Sequence, residues 1–153
     1  MSTLLPDITR SMIVPYSASE MYALAADVDS YDRFLPWCSA SEVLESTEDS
    51  VLARIDISYK GWSTSFTTRN RMDPDVRIGM TLEEGAAFDA LEGVWHFKPL
   101  DALACEVSLE VDFSLSGALG NKVLGPIFSR ICAELIDAFV DRAKTLYGER
   151  EFA

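Results

Sequence analysis

Histidine appears once in this 153-residue chain, at His96, and no cysteine stands at metal-ligand spacing from it. The cysteines, Cys38, Cys105 and Cys132, are odd in number, far apart and without a CxxC pair. A metal centre and a disulfide framework are therefore excluded, and free thiols in a reducing cytoplasm are expected. Positive charge is scarce as well. Lys plus Arg is 13 against 25 Asp plus Glu, a formal net charge of −12. Nucleic-acid affinity comes largely from neutralising phosphates, so DNA is excluded as a partner and RNA disfavoured as the main ligand. Simple electrostatic adhesion to an anionic leaflet is disfavoured for the same reason. No apolar run approaches 18 residues, and residues 1–20 hold no basic segment leading into an apolar one. The expectation is a cytoplasmic protein without a span or secretory signal, peripheral to the inner membrane at most.

Catalytic patterns are missing too. There is no Gly-rich phosphate loop, GxSxG elbow or HExxH. His96 alternates with Trp95 and Phe97, which places it on a polar face, away from any cysteine. Cys105 and Cys132 fall on apolar faces as inert core thiols, while Cys38 reads as a loop residue. Glu83-Glu84 and Asp73/Asp75 flank turns and read as solvated carboxylates. Catalytic and metal-ligating residues are therefore assigned to none, and a non-enzyme is expected.

What is present is an ordinary globular composition, 48% apolar and 25% charged, in a single domain over 1–153. A chain of this size buries roughly 70% of its unfolded surface without staples. Ile8 to Val14 alternates as a strand, and Pro15 stops it. Ser17 and Glu20 form a capping box ahead of Met21, Leu24, Ala25 and Val28 at helical spacing. Ser30 is placed to cap a second short helix carrying Tyr31, Phe34 and Leu35, ended by Pro36.

From Ala40 to Leu115 the period becomes two. Val51 to Tyr59, Trp62 to Asn70, Val76 to Leu82, Gly93 to Phe97 and Leu103 to Leu115 each alternate between faces. Short turns at Gly61, Asp73-Pro74-Asp75 and Glu84-Gly85 predict an antiparallel meander with one wet face. The face of Trp62, Thr64, Phe66, Thr68 and Asn70 mixes aromatic and polar groups. Turned inward, each polar group there needs a partner, a water or a ligand. Near the C-terminus Phe128, Ile131, Leu135, Phe139, Ala143 and Leu146 form a helical stripe, with Gly148 as its cap. A helix begun near Ala118 would be kinked or broken at Gly125-Pro126. A half-wet sheet and one long striped helix to cover it make an α+β grip.

The string YDRFLPWC (Tyr31 to Cys38), after ADVDS (Ala26 to Ser30), resembles a START-like family of polyketide cyclase and lipid-transport type. That family includes ribosome-association toxins and coenzyme Q-binding proteins. FTTRN (Phe66 to Asn70), LEGVWHFKPL (Leu91 to Leu100) and DAFVDRAKTLYG (Asp137 to Gly148) are similar to the same family, in the same order. Gly85-Ala86-Ala87-Phe88 departs from it, standing where the family often has Gly-Pro-Phe.

The resemblance implies a helix-grip (START/birch-pollen-allergen-like) fold, with a curved antiparallel sheet wrapped around the long C-terminal helix and two short helices after the first strand. It implies a hydrophobic cavity between sheet and helix. On that fold Phe34, Leu35 and Trp37 would stand at the mouth. Tyr59, Trp62, Phe66, Asn70 and Met80 would line one side. Trp95, Phe97 and Phe113 would line the other, beneath Phe128, Ile131 and Leu135 of the helix. The function implied is non-catalytic binding of ubiquinone or another polyprenyl lipid in support of respiratory quinone function. The lipid would be a ligand rather than a cofactor, with transient contact at the inner-membrane surface. The alternative is a toxin whose partner is the ribosome, binding the large subunit and blocking subunit joining.

Overall fold

The computed structural model describes residues 8–117 and 120–152. Strands β1 (Ile8–Val14), β2 (Cys38–Ser46), β3 (Ser50–Tyr59), β4 (Trp62–Asp73), β5 (Arg77–Glu84), β6 (Phe88–Asp101) and β7 (Ala104–Leu115) form one antiparallel sheet. Its order is β1-β7-β6-β5-β4-β3-β2, so β2 to β7 are a meander and β1 adds beside β7. The β1 register runs from Ile8 opposite Val111 to Val14 opposite Cys105. This leaves β1 and β2 at opposite edges of the sheet. The segment joining them, α1 (Ala18–Ala26) and a 3-10 helix (Val28–Arg33), must therefore cross the open side of the trough.

The period-two faces are as the sequence predicts. Ala53, Ile55, Ile57, Ile78, Trp95, Phe97 and the β7 row Cys105, Val107, Leu109 and Val111 are buried, and His96 is exposed. The β3–β4 hairpin turns through Lys60 and Gly61, both at positive φ (48° and 82°). That is the type I′ turn whose twist matches the strands, and glycine takes the second position without Cβ strain. A C-terminal helical arm covers the concave face. It consists of a π-helical turn (Gly120–Leu124), α2 (Gly125–Ala133) and α3 (Leu135–Tyr147), ending at Gly148 with φ +87°.

Several expectations are corrected by this arrangement. Ser30 does not cap the short helix. It lies inside the 3-10 segment and its hydroxyl donates to Asp27 Oδ2 at 2.6 Å. Cys38 is not in a loop; it is the buried first residue of β2, opposite Ile57, because the turn at Pro36 and Trp37 leads straight into that strand. Val76 and Leu103 sit in turns and are exposed at 51% and 63%, since their strands start one residue later. Leu146, in the last turn of α3, is exposed at 51% and does not join the buried stripe. The break expected at Gly125-Pro126 is present, since the π-helical turn ends at Leu124 and α2 starts at Gly125 with Pro126 in its first turn, where no backbone donor is needed. A second interruption, which the sequence reading did not place, falls at Glu134, whose N–H is shared between the carbonyls of Arg130 and Ile131. The proposed helix start at Ala118 lies outside the described residues.

The two ends of the helical framework are clasped together. The Ser17 hydroxyl accepts from Glu20 N–H and Glu20 Oε1 accepts from Ser17 N–H, completing the capping box. Arg150 then donates twice to the Glu20 carboxylate, at 2.7 and 2.9 Å, while its guanidinium lies 4.9 Å from the Tyr16 ring centre. The Tyr16 hydroxyl donates to the Gly148 carbonyl at 2.7 Å. The Arg150 guanidinium, opposed by some desolvation and helped by the Ser17 N–H, holds Glu20 down to about 2. A carboxylate depressed in the folded state stabilises above its unfolded pKa of about 4.3, and that contribution fades as pH falls toward 2. Urea denaturation between pH 5 and 2 should therefore show a stability loss that Glu20→Gln largely removes. Equal pH slopes in both proteins would refute the clasp.

Candidate functional site

Sheet and helical arm do not fill the space between them. A cavity of about 90 Å³ remains, floored by β3 to β7 and roofed by Phe128, Ile131, Cys132, Leu135 and Phe139. Two aromatic clusters bound it. At one end Phe128 packs edge-on against Phe66, Phe88 and Phe113, with ring centres 6.3, 5.1 and 4.8 Å away. At the other, Phe139 meets Tyr31, Phe34 and Trp95 at 5.4, 5.2 and 5.2 Å. The rings meet at their edges, and between the two clusters aliphatic side chains such as Ile55, Leu109 and Ile131 line the space without filling it. On β6 the gap is preserved by Gly93, where a Cβ would stand 2.8 Å from Met80 Cε.

Of the residues placed at the cavity from sequence, Trp37, Phe66, Asn70, Met80, Trp95, Phe128, Ile131 and Leu135 line it. Phe34, Leu35, Tyr59, Trp62, Phe97 and Phe113 do not. Phe34 packs on the outer side of Phe139, beneath the Arg142 guanidinium 5.1 Å away. Leu35 is buried in the main core. Tyr59 and Trp62 are opposite each other beside the β3–β4 turn, beyond the end of the void. Phe97 stacks on Trp95 and meets Tyr22 edge-on, and Phe113 stands behind Phe128. Sequence reasoning missed Val28 and Tyr31, which reach the cavity because the 3-10 segment crosses the trough. It also missed Leu109 and Val111, although both lie on the predicted apolar face of β7.

Polar groups at the cavity are few. Thr67 and Thr68 are both buried because the β4–β5 register shifts between them, turning two consecutive residues out of solvent. The Thr68 hydroxyl donates to Asn70 Oδ1 at 2.7 Å. The Tyr31 hydroxyl is engaged by the Ala25 carbonyl, and burial raises its pKa above that of a free phenol. Burial pushes the Cys132 thiol up to about 12, and Cys38 and Cys105 to about 11, so all three are protonated at neutral pH. No group of three or more His, Cys, Asp or Glu side chains among the described residues could hold a metal ion. The arrangement suits apolar enclosure with a small hydrogen-bonding element, the usual composition of a small-molecule pocket.

Trp37 lines the cavity and also a groove of about 550 Å³ on the outside, between residues 33–37 and α3. Its indole is thus the partition between the void and that surface. No helix among the described residues is long and apolar enough to cross a membrane.

Comparison with known proteins places this geometry. The aromatase/cyclase Zhui from Streptomyces sp. R1128 superposes with a TM-score of 0.81 at 20% identity, covering 90% of this chain and 92% of that one. This likeness is one of fold. The ribosome association toxin RatA of Pseudomonas aeruginosa is 44% identical over 141 residues, 92% of this chain and 97% of that protein. The mitochondrial coenzyme Q-binding protein COQ10 homolog B of Xenopus laevis is 25% identical over 148 residues, 95% of this chain and 61% of that protein. The family model described as polyketide cyclase / dehydrase and lipid transport matches residues 14–140. With a helix-grip sheet, an apolar void under the C-terminal arm and this match, the chain belongs to the polyketide cyclase / dehydrase and lipid transport family.

Proposed function

We propose that this protein binds a hydrophobic guest between its sheet and α2–α3 without transforming it. The observation that carries this reading is the void of about 90 Å³, lined almost wholly by apolar side chains. Its groups are equipped to enclose and not to react: the thiols are protonated and the Tyr31 hydroxyl is occupied. A polyprenyl lipid such as ubiquinone is the leading guest, supported by the coenzyme Q-binding relative. Small-molecule sites commonly span about 300–1,000 Å³, so such a guest requires Trp37 and the 33–37 segment to swing outward. Each buried CH₂ then contributes about 0.8 kcal/mol. Solvent extraction of the purified protein followed by mass spectrometry should recover a quinone or other lipid. No lipid in repeated extracts, together with no binding of added ubiquinone, would sink the proposal.

A second reading is association with the ribosome, favoured by the 44% identity to a protein named for it. A net charge of −12 opposes RNA contact unless cations are grouped. Arg69, Arg71 and Arg77 do gather around Gly79 on the outer face of the sheet, with the Arg77 guanidinium 3.3 Å from where a Gly79 Cβ would stand. Glu92, Glu110 and Asp112 rim the same depression. Co-sedimentation with ribosomal subunits over a salt series tests this reading. Binding that weakens steeply with salt supports it, and absence of binding at low salt removes it.

A further inference from the structure

The cavity floor has a direction to its polarity. Asn70 is 5% exposed, and its Oδ1 accepts the Thr68 hydroxyl proton. The opposite amide orientation would leave that proton without its acceptor, so Thr68 determines which end of the amide is turned away. The Asn70 amide nitrogen donates to no described residue. No side-chain polar atom among the described residues is both sealed from contact and unpartnered. Asn70 lines the cavity and is nearly sealed from outside, so the cavity is the space its nitrogen has available for a partner. The Trp95 side chain, 3% exposed and lining the same void, adds another group with a donor and no acceptor.

We propose that Asn70, oriented by Thr68, is a donor anchor that selects guests presenting an uncharged carbonyl oxygen. The proposal rests on the guest-binding reading above and narrows its chemistry. None of the cavity-lining residues is charged, so a carboxylate or ammonium would be buried without a counter-ion. A hydroxyl would accept from Asn70 but bring a proton of its own, for which Oδ1 has one remaining lone pair. A ketone-type oxygen has no such requirement. Met80, whose flexible thioether ends over Gly93, is the lining residue best able to adapt to the remainder of the guest.

The test uses an isosteric pair, 2-butanone and 2-methyl-1-butene, titrated by NMR into wild-type protein, Asn70→Leu and Thr68→Val. Comparing ratios between variants cancels the hydration of the free guests. The ketone-to-alkene affinity ratio should fall about tenfold in Asn70→Leu, with the alkene still bound, and severalfold in Thr68→Val. A ratio unchanged in both variants would overturn the anchor while leaving the cavity in place. Should Asn70→Leu not fold, the infrared carbonyl stretch of butanone bound to wild-type protein decides. Displacement below its position in alkane solvent supports a hydrogen-bonded oxygen, and coincidence with that position overturns it. Failure of the wild-type protein to bind either compound would overturn the anchor, whereas the guest-binding reading stands or falls on the extraction and ubiquinone titration above.

Discussion

Phe139→Ala should lower the unfolding free energy by about 3–5 kcal/mol, the upper range for removing a buried aromatic ring. Phe139 is 2% exposed and sits where Tyr31, Phe34 and Trp95 converge edge-on. Those rings come from the 3-10 segment, the loop after it and β6, and because β6 is held by pairing with β5 and β7 the gap should close only in part. The new space would join the existing void. Benzene, which occupies apolar cavities of about 150 Å³, should then raise the melting temperature of the variant far more than that of the wild-type protein. Urea denaturation checks the first part, and thermal unfolding with and without benzene checks the second. A loss below about 1 kcal/mol, or equal benzene shifts, would mean that the helical arm settles onto the sheet and that the two aromatic clusters do not hold the void open.

Cys132→Leu is expected to act on binding more than on stability. Cys132 is 3% exposed and faces the cavity from α2. Leucine adds two heavy atoms where empty volume already exists, so overpacking should cost no more than about 1–3 kcal/mol. Guest affinity should fall at least tenfold, because the inserted atoms take the space the guest would occupy. Burial holds the thiol protonated at neutral pH, so the change read here is chiefly one of volume. Calorimetric titration of a recovered guest into both proteins is the measurement, and unchanged affinity would place the guest elsewhere. The same variant separates the two functional readings. Ribosome co-sedimentation depends on the outer surface and should be indifferent to a substitution beneath α2.

The faces of the strands were legible because a two-residue period is local: whether Trp95 or His96 points inward is decided by its neighbours and the pleat. The capping box at Ser17 and Glu20 and the stop at Gly148 are equally local. Phe97 and Phe113 show where that reasoning ends. Both lie on the predicted inner faces, yet the cavity is lined by the rings they pack against, Trp95 and Phe128, and not by them. Thr67 shows a second limit, since a register shift against β5 buries a residue that strict alternation assigns to the opposite face.

Composition and periodicity alone determined that this chain folds as a meander gripping a helix. Only the tertiary structure decided that β1 and β2 occupy opposite edges, sending Val28, Tyr31 and Trp37 across the trough to the cavity. It also decided that the space left is near 90 Å³, with Asn70 in its lining and paired to Thr68. The physical reason is one of range. Pleat, cap and turn are settled by a few adjacent residues, whereas a void is the difference between large packed volumes contributed by elements a hundred residues apart.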